Sequence, residues 1–137
     1  MSLYLSYMAS YIPTEEIANN ARMALKVRES KPDSQKGMTS IGIGRARDLS
    51  NRRPISEDTV RRMKAYFDRH EIDKQGSTWN DKGKGWQAWN GWGGDAGRAW
   101  ANRIVERLNK LEDRNYNDMN DDTTYRKLLY RKTINPT

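Results

Sequence analysis

The 137-residue sequence predicts an all-α fold, a compact single domain of four to five helices with a tryptophan- and glycine-rich structured loop. Three observations lead there. Three segments carry apolar residues at helical spacing behind a Thr, Ser or Asp that can cap a helix. Leu, Ile, Val and Phe together number only 20 residues. That is about 15% of the chain, below the roughly 20% at which disorder sets in, so the core needs apolar surface from elsewhere. Tryptophan is the source: four of the five stand in GKGWQAWNGWGGDAGRAW, residues 83–100, and Trp79 lies just upstream. Each buries about 150–250 Å² when packed.

Residues 1–13 form an N-terminal aromatic arm with Tyr4, Tyr7 and Tyr11, and Met8 is an alternative start to Met1. Residues 14–112 form the helical core domain. Thr14 caps its first helix, Glu15 and Glu16 complement the positive helix end, and Ile17, Ala21, Ala24 and Leu25 mark a buried face running to about Glu29. SKPDSQKG is a loop broken by Pro32 and Gly37. IGIGRARDLS reads as a short helix whose Gly42 and Gly44 admit a neighbouring backbone, and NRRP as a turn. Ser56 caps the next helix, with Glu57 and Asp58 in its first turn and Val60, Met63 and Phe67 as its buried stripe. QGSTWNDKGKGWQAWNGWGG lacks long periodicity and predicts a structured loop with at most one short helical turn. Asp95 caps the last strong helix, in which Trp100, Ile104, Leu108 and Leu111 repeat at helical spacing. Residues 113–137 form a charged tail, where Tyr125, Leu128, Leu129 and Tyr130 fit a short helix capped by Asp121 or Asp122.

A net charge of +7 and an isoelectric point near 9.7 suit a polyanionic partner, nucleic acid or an acidic protein surface. The absence of cysteine excludes disulfides, thiolate metal sites and cysteine nucleophiles, and one histidine excludes an ordinary structural zinc site. No secretory leader and no membrane-length apolar run is present, so the expected setting is a reducing cytoplasm with no membrane partner. GIGRAR starts like a dinucleotide fingerprint, but Arg47 occupies the third glycine position and no strand precedes it. No cofactor is expected.

His70, Glu71 and Asp73 in RHEIDK are the one cluster resembling hydrolase or nuclease equipment, although polar residues at a helix C-terminus are ordinary and a cationic His suits the helix dipole. The expectation is therefore a non-enzyme. The basic residues say more. Between Ile41 and His70 eight basic residues stand against four acidic, leaving +4 in one two-helix unit. Arg45, Arg47, Arg52, Arg53, Arg61, Arg62 and Lys64, with Lys84 downstream, are the candidate phosphate contacts. They fit equally a solvated face laced with pairs such as Asp58 with Arg61 or Arg62. The tryptophans could stack bases beside Lys82 and Lys84, but the aliphatic deficit assigns Trp86, Trp89, Trp92 and Trp100, with Phe67, to the core. Trp79, among polar residues, is expected to be the most exposed.

NNARMALKVRE, GIGRARDLSNRRPISEDTVRRMKAYFDRHE and GWGGDAGRAWANRI together resemble a small helical module of tailed bacteriophages, cyanophages included. The module occurs as short free-standing proteins and attached to proteins described as head-morphogenesis serine proteases. The resemblance covers residues 14–110 and implies a viral protein of helical fold; it carries no catalytic residues across. Phage context implies one of two roles. The first is an accessory protein binding nucleic acid, DNA before RNA, in the host cytoplasm. The second is a structural or interaction protein of assembly or the virion, contacting another phage protein through its aromatic arms.

Overall fold

The computed structural model describes residues 10–120, with side chains through Asn117. These residues form five α-helices and one two-residue antiparallel pairing, so the all-α class holds. The helices are α1 (Glu15–Ser30), α2 (Ser40–Ser50), α3 (Glu57–His70), α4 (Lys84–Gly91) and α5 (Gly94–Asn120). Short 3₁₀ turns, Asp33–Gln35 and Glu71–Gln75, lie in the connections. The pairing joins β1 (Ser10–Tyr11) to β2 (Ile55–Ser56), Tyr11 opposite Ile55. With Pro13 fully buried, the end of the expected arm is thus part of the fold. Tyr4, Tyr7 and the expected tail helix lie outside the described residues.

Capping explains where the first three helices begin. The Thr14, Thr39 and Ser56 hydroxyls accept from the amides of Ile17, Gly42 and Thr59, each satisfying one of the amides that a helix start leaves without an intrahelical partner. Two units are distinguished, residues 1–103 and 104–137. In the first, α1 packs against α2 and α4, burying Ile17, Ala18, Ala21 and Ala24; Leu25, expected on that face, is half-buried. Val60, Met63, Tyr66 and Phe67 form the buried stripe of α3. In the second, Ile104, Val105 and Leu108 are buried, Leu111 is exposed, and the helix continues to Asn120, through the tail boundary expected at residue 113.

Two expectations for the tryptophan stretch are corrected. The segment expected to hold at most one helical turn is the eight-residue helix α4, because its faces are held by tertiary contacts rather than by local propensity. Trp89 and Trp100 are buried and join Phe67 in the core, but Trp86 and Trp92 are half-buried. Trp89 stands mid-helix against Phe67, whereas Trp86 lies in the first turn of α4 and Trp92 just past its end. Trp79 is half-buried too, its ring edge 6.2 Å from Trp89 by centroids.

The chain turns between α4 and α5 at Gly93 (φ 113°) and Gly94 (φ 69°), a backbone region that favours glycine. A Cβ at Gly94 would come within 2.7 Å of Asn20 Nδ2, the amide that donates to the Gly93 carbonyl. Asp95 is not the cap expected of it. It lies inside the first turn of α5, where its Oδ1 accepts from the buried Trp89 indole at 2.9 Å and from Lys74 Nζ at 2.8 Å.

The Lys74 ammonium first, then the Trp89 N–H, hold the Asp95 carboxyl below the ordinary carboxylate range, against an opposing effect of burial. A depressed folded-state pKa adds stability that is complete above the unfolded value of about 3.9 and is lost as pH falls through the folded value. Asp95→Asn is therefore expected to flatten the acid limb of the Tm profile below about pH 4. Thermal melts of both proteins across that range check it, and parallel acid limbs would refute it.

Candidate nucleic-acid interface

The expected phosphate-binding residues divide into two groups. Five are engaged by neighbouring carboxylates: Arg52 with Glu15 (3.4 Å), Arg53 with Asp48 (2.8 Å), Arg61 with Glu57 (3.3 Å), Arg62 with Asp58 (3.2 Å) and Lys64 with Asp68 (2.8 Å). Arg52 also donates through Nε to the Pro13 carbonyl, which ties the guanidinium to the chain before α1. Most of the two-helix unit is thus the ion-pair-laced face that its sequence equally fitted. Such exposed pairs are worth about 0–1 kcal/mol each, and each carboxylate weakens attraction for a phosphate.

Arg45, Arg47 and Lys84 make up the second group and have no carboxylate partner among the described residues. Arg47 is exposed on α2. Arg45 places its guanidinium carbon 5.6 Å from the centroid of Trp92, and its buried Nε has no hydrogen-bond partner. Lys84, exposed at the first position of α4, leads to the feature that organises the region. An open pocket of about 480 Å³ is lined by Lys84, Arg69, His70 and Lys36 together with Tyr66 and Trp92, and no carboxylate lines it.

Three helices and one loop build this pocket. Trp92 follows α4, while Tyr66, Arg69 and His70 share one face of α3 at spacings of three and four. The rings stack as a column: His70 on Tyr66 at 4.5 Å and 23°, Tyr66 on Trp92 at 4.8 Å and 9°. Burial, with Asp73 adding to it, drives the Tyr66 hydroxyl well above the ordinary phenol range, so this wall stays neutral. The Tyr66 oxygen is buried without a hydrogen-bond partner. Lys36 lends charge but not hydrogen bonds, since its ammonium donates to the carbonyls of Arg28, Glu29 and Lys31 at the end of α1. Arg69 and Lys84 are both exposed. An anion entering here meets Arg69, Lys84 and Lys36 against a flat aromatic wall with no carboxylate in the lining, while Asp73 engages His70 from outside it.

Of the three RHEIDK residues two come together and the third turns away. His70 Nδ1 lies 3.1 Å from Asp73 Oδ2, whereas Glu71 Oε1 takes the Arg98 guanidinium at 3.0 Å and is held below the ordinary carboxylate range by that hydrogen bond first. Among the described residues no three His, Asp or Glu side chains gather as a metal site, and no helix is long and apolar enough to cross a membrane. Arg69 counts in the charge of the two-helix unit but not among the expected phosphate contacts, and Tyr66 and the outward role of Trp92 were not singled out from the sequence. The spacing of 66, 69 and 70 on one helix face was the available signal. No family model, curated protein or solved structure matches the chain.

Proposed function

We propose that this is a non-enzymatic phage accessory protein that binds nucleic acid in the host cytoplasm, DNA before RNA, with the phosphate backbone held by Arg69 and Lys84 at the pocket beside His70. The observation that carries the reading is the carboxylate-free lining beside the His70–Tyr66–Trp92 column. Within the expected set it moves weight from Arg52, Arg53, Arg61, Arg62 and Lys64, which are neutralised locally, to Lys84, with Arg45 and Arg47 as flanking charge. Arg69 joins them.

Fluorescence anisotropy with labelled DNA and RNA across a salt series tests it. Log affinity should fall linearly with log salt, by nearly one unit of slope for each phosphate neutralised. Arg69→Glu with Lys84→Glu is expected to weaken binding by at least about tenfold and to reduce the slope by about two. Arg52→Glu with Arg53→Glu should cost less. Absence of binding at low salt, or equal losses from the two double variants, would overturn the proposal.

A further inference from the structure

We infer that a second pocket, walled by Ile72, Trp79 and Trp86, takes an unpaired nucleobase, so that the protein prefers single-stranded nucleic acid. This rests on the nucleic-acid reading above and adds to it the strand type and the base site. The pocket is open, about 330 Å³, and Gly76 and Gly85 are part of its lining, both packed closely against Asp73. Ile72 is 64% exposed, and both tryptophans are only half-buried. In a chain so poor in aliphatic residues, an apolar side chain left in water beside two indoles is surface withheld from the core.

Charge complementarity selects the occupant. Lys82 Nζ sits 5.3 Å from the centroid of Trp86, and Lys84, two residues before Trp86, opens onto the cationic pocket. A flat π-face accompanied by an anion on its flank is the chemistry of a nucleotide; an apolar peptide or a sugar would leave these ammonium groups unused. The one carboxylate in the lining, Asp73, is already held by His70 Nδ1. Lys84 and Trp86 stand two residues apart in α4, on different sides of the helix and in different pockets, so a strand that meets both must bend around the start of α4, as a flexible single strand can. A duplex keeps its bases stacked inside and offers nothing to this pocket, whereas single strands gain affinity from each base laid on an aromatic ring.

The test compares an oligo-dT single strand with a duplex of equal length, binding wild type, Trp86→Ala, Trp86→Phe and Trp79→Ala. The wild type should bind the single strand more tightly, and that strand alone should quench tryptophan fluorescence. Trp86→Ala should lose about tenfold or more on the single strand and almost nothing on duplex, at unchanged salt slope; Trp86→Phe should recover most of the loss. If Trp86→Ala unfolds, Trp79→Ala and wild-type quenching carry the same comparison. Equal affinity for both probes, with no quenching and no effect of either alanine, overturns the base site while leaving the phosphate pocket standing. Absence of any binding by wild type overturns the phosphate pocket and the base site together.

Discussion

Trp89→Ala is expected to lower unfolding free energy by about 3–5 kcal/mol, enough to leave much of the population unfolded in a domain of ordinary stability. Trp89 is 1% exposed and joins parts of the chain far apart in sequence. Its ring meets Phe67 edge-on at 4.8 Å and lies under Lys74 Nζ at 4.7 Å and the Arg98 guanidinium at 5.7 Å. Its indole N–H anchors Asp95 at the start of α5. Truncation removes the transfer energy of the largest buried side chain, opens a cavity and unties α3, the Glu71–Gln75 turn and α5 from α4 at once. Trp89→Phe keeps a ring against Phe67 and should cost clearly less. Urea denaturation followed by far-UV circular dichroism measures both; a loss under about 1 kcal/mol for Trp89→Ala would refute this hub role.

The same residue shows what could be read from the sequence. The beginnings of α1 and α3 are local events: a hydroxyl, two acidic residues and an apolar stripe lie within one turn of each other, so Thr14 and Ser56 mark their helices without reference to the rest of the chain. Helix α4 is not local. Its N-cap, Gly83, offers no side-chain cap, and glycine at positions 85 and 91 argues against helix by propensity. What holds it is Trp89 and Gln87 reaching segments far away in sequence. Burial of the tryptophans as a class followed from the aliphatic deficit, but which ones turn outward depends on how α3 crosses α4. The pocket was hidden for the same reason, since Arg69 and Lys84 belong to different elements. Pairing of the arginines was half legible: Asp58 with Arg62 follows from helical spacing, whereas Arg52 with Glu15 needs the tertiary fold.

Gln87→Leu is expected to cost about 2–4 kcal/mol although it exchanges a buried polar side chain for an apolar one. Gln87 is fully buried with every polar atom engaged: Oε1 accepts from the Gly37 amide at 2.7 Å, and Nε2 donates to the carbonyls of Gln35 (3.1 Å) and Lys82 (3.0 Å). Leucine leaves three backbone groups without partners, and the Gly37 amide has no route to water. The two segments held are also strained. Met38 (φ 71°) and Lys82 (φ 58°) occupy the left-handed region, at about 1–3 kcal/mol each, a conformation that persists only where surrounding contacts over-determine it. Releasing the clamp lets both relax, and with them the wall that Gly37 and Met38 present to the cationic pocket beside Lys84. Affinity for nucleic acid should therefore fall in Gln87→Leu while the salt slope stays as in wild type, because the cations remain and only their arrangement loosens. Hydrogen exchange reads the cause directly: protection of the Gly37 amide should be lost while that of the α3 stripe persists. A protected Gly37 amide together with a stability loss under about 1 kcal/mol would show that the loop is held by something other than Gln87.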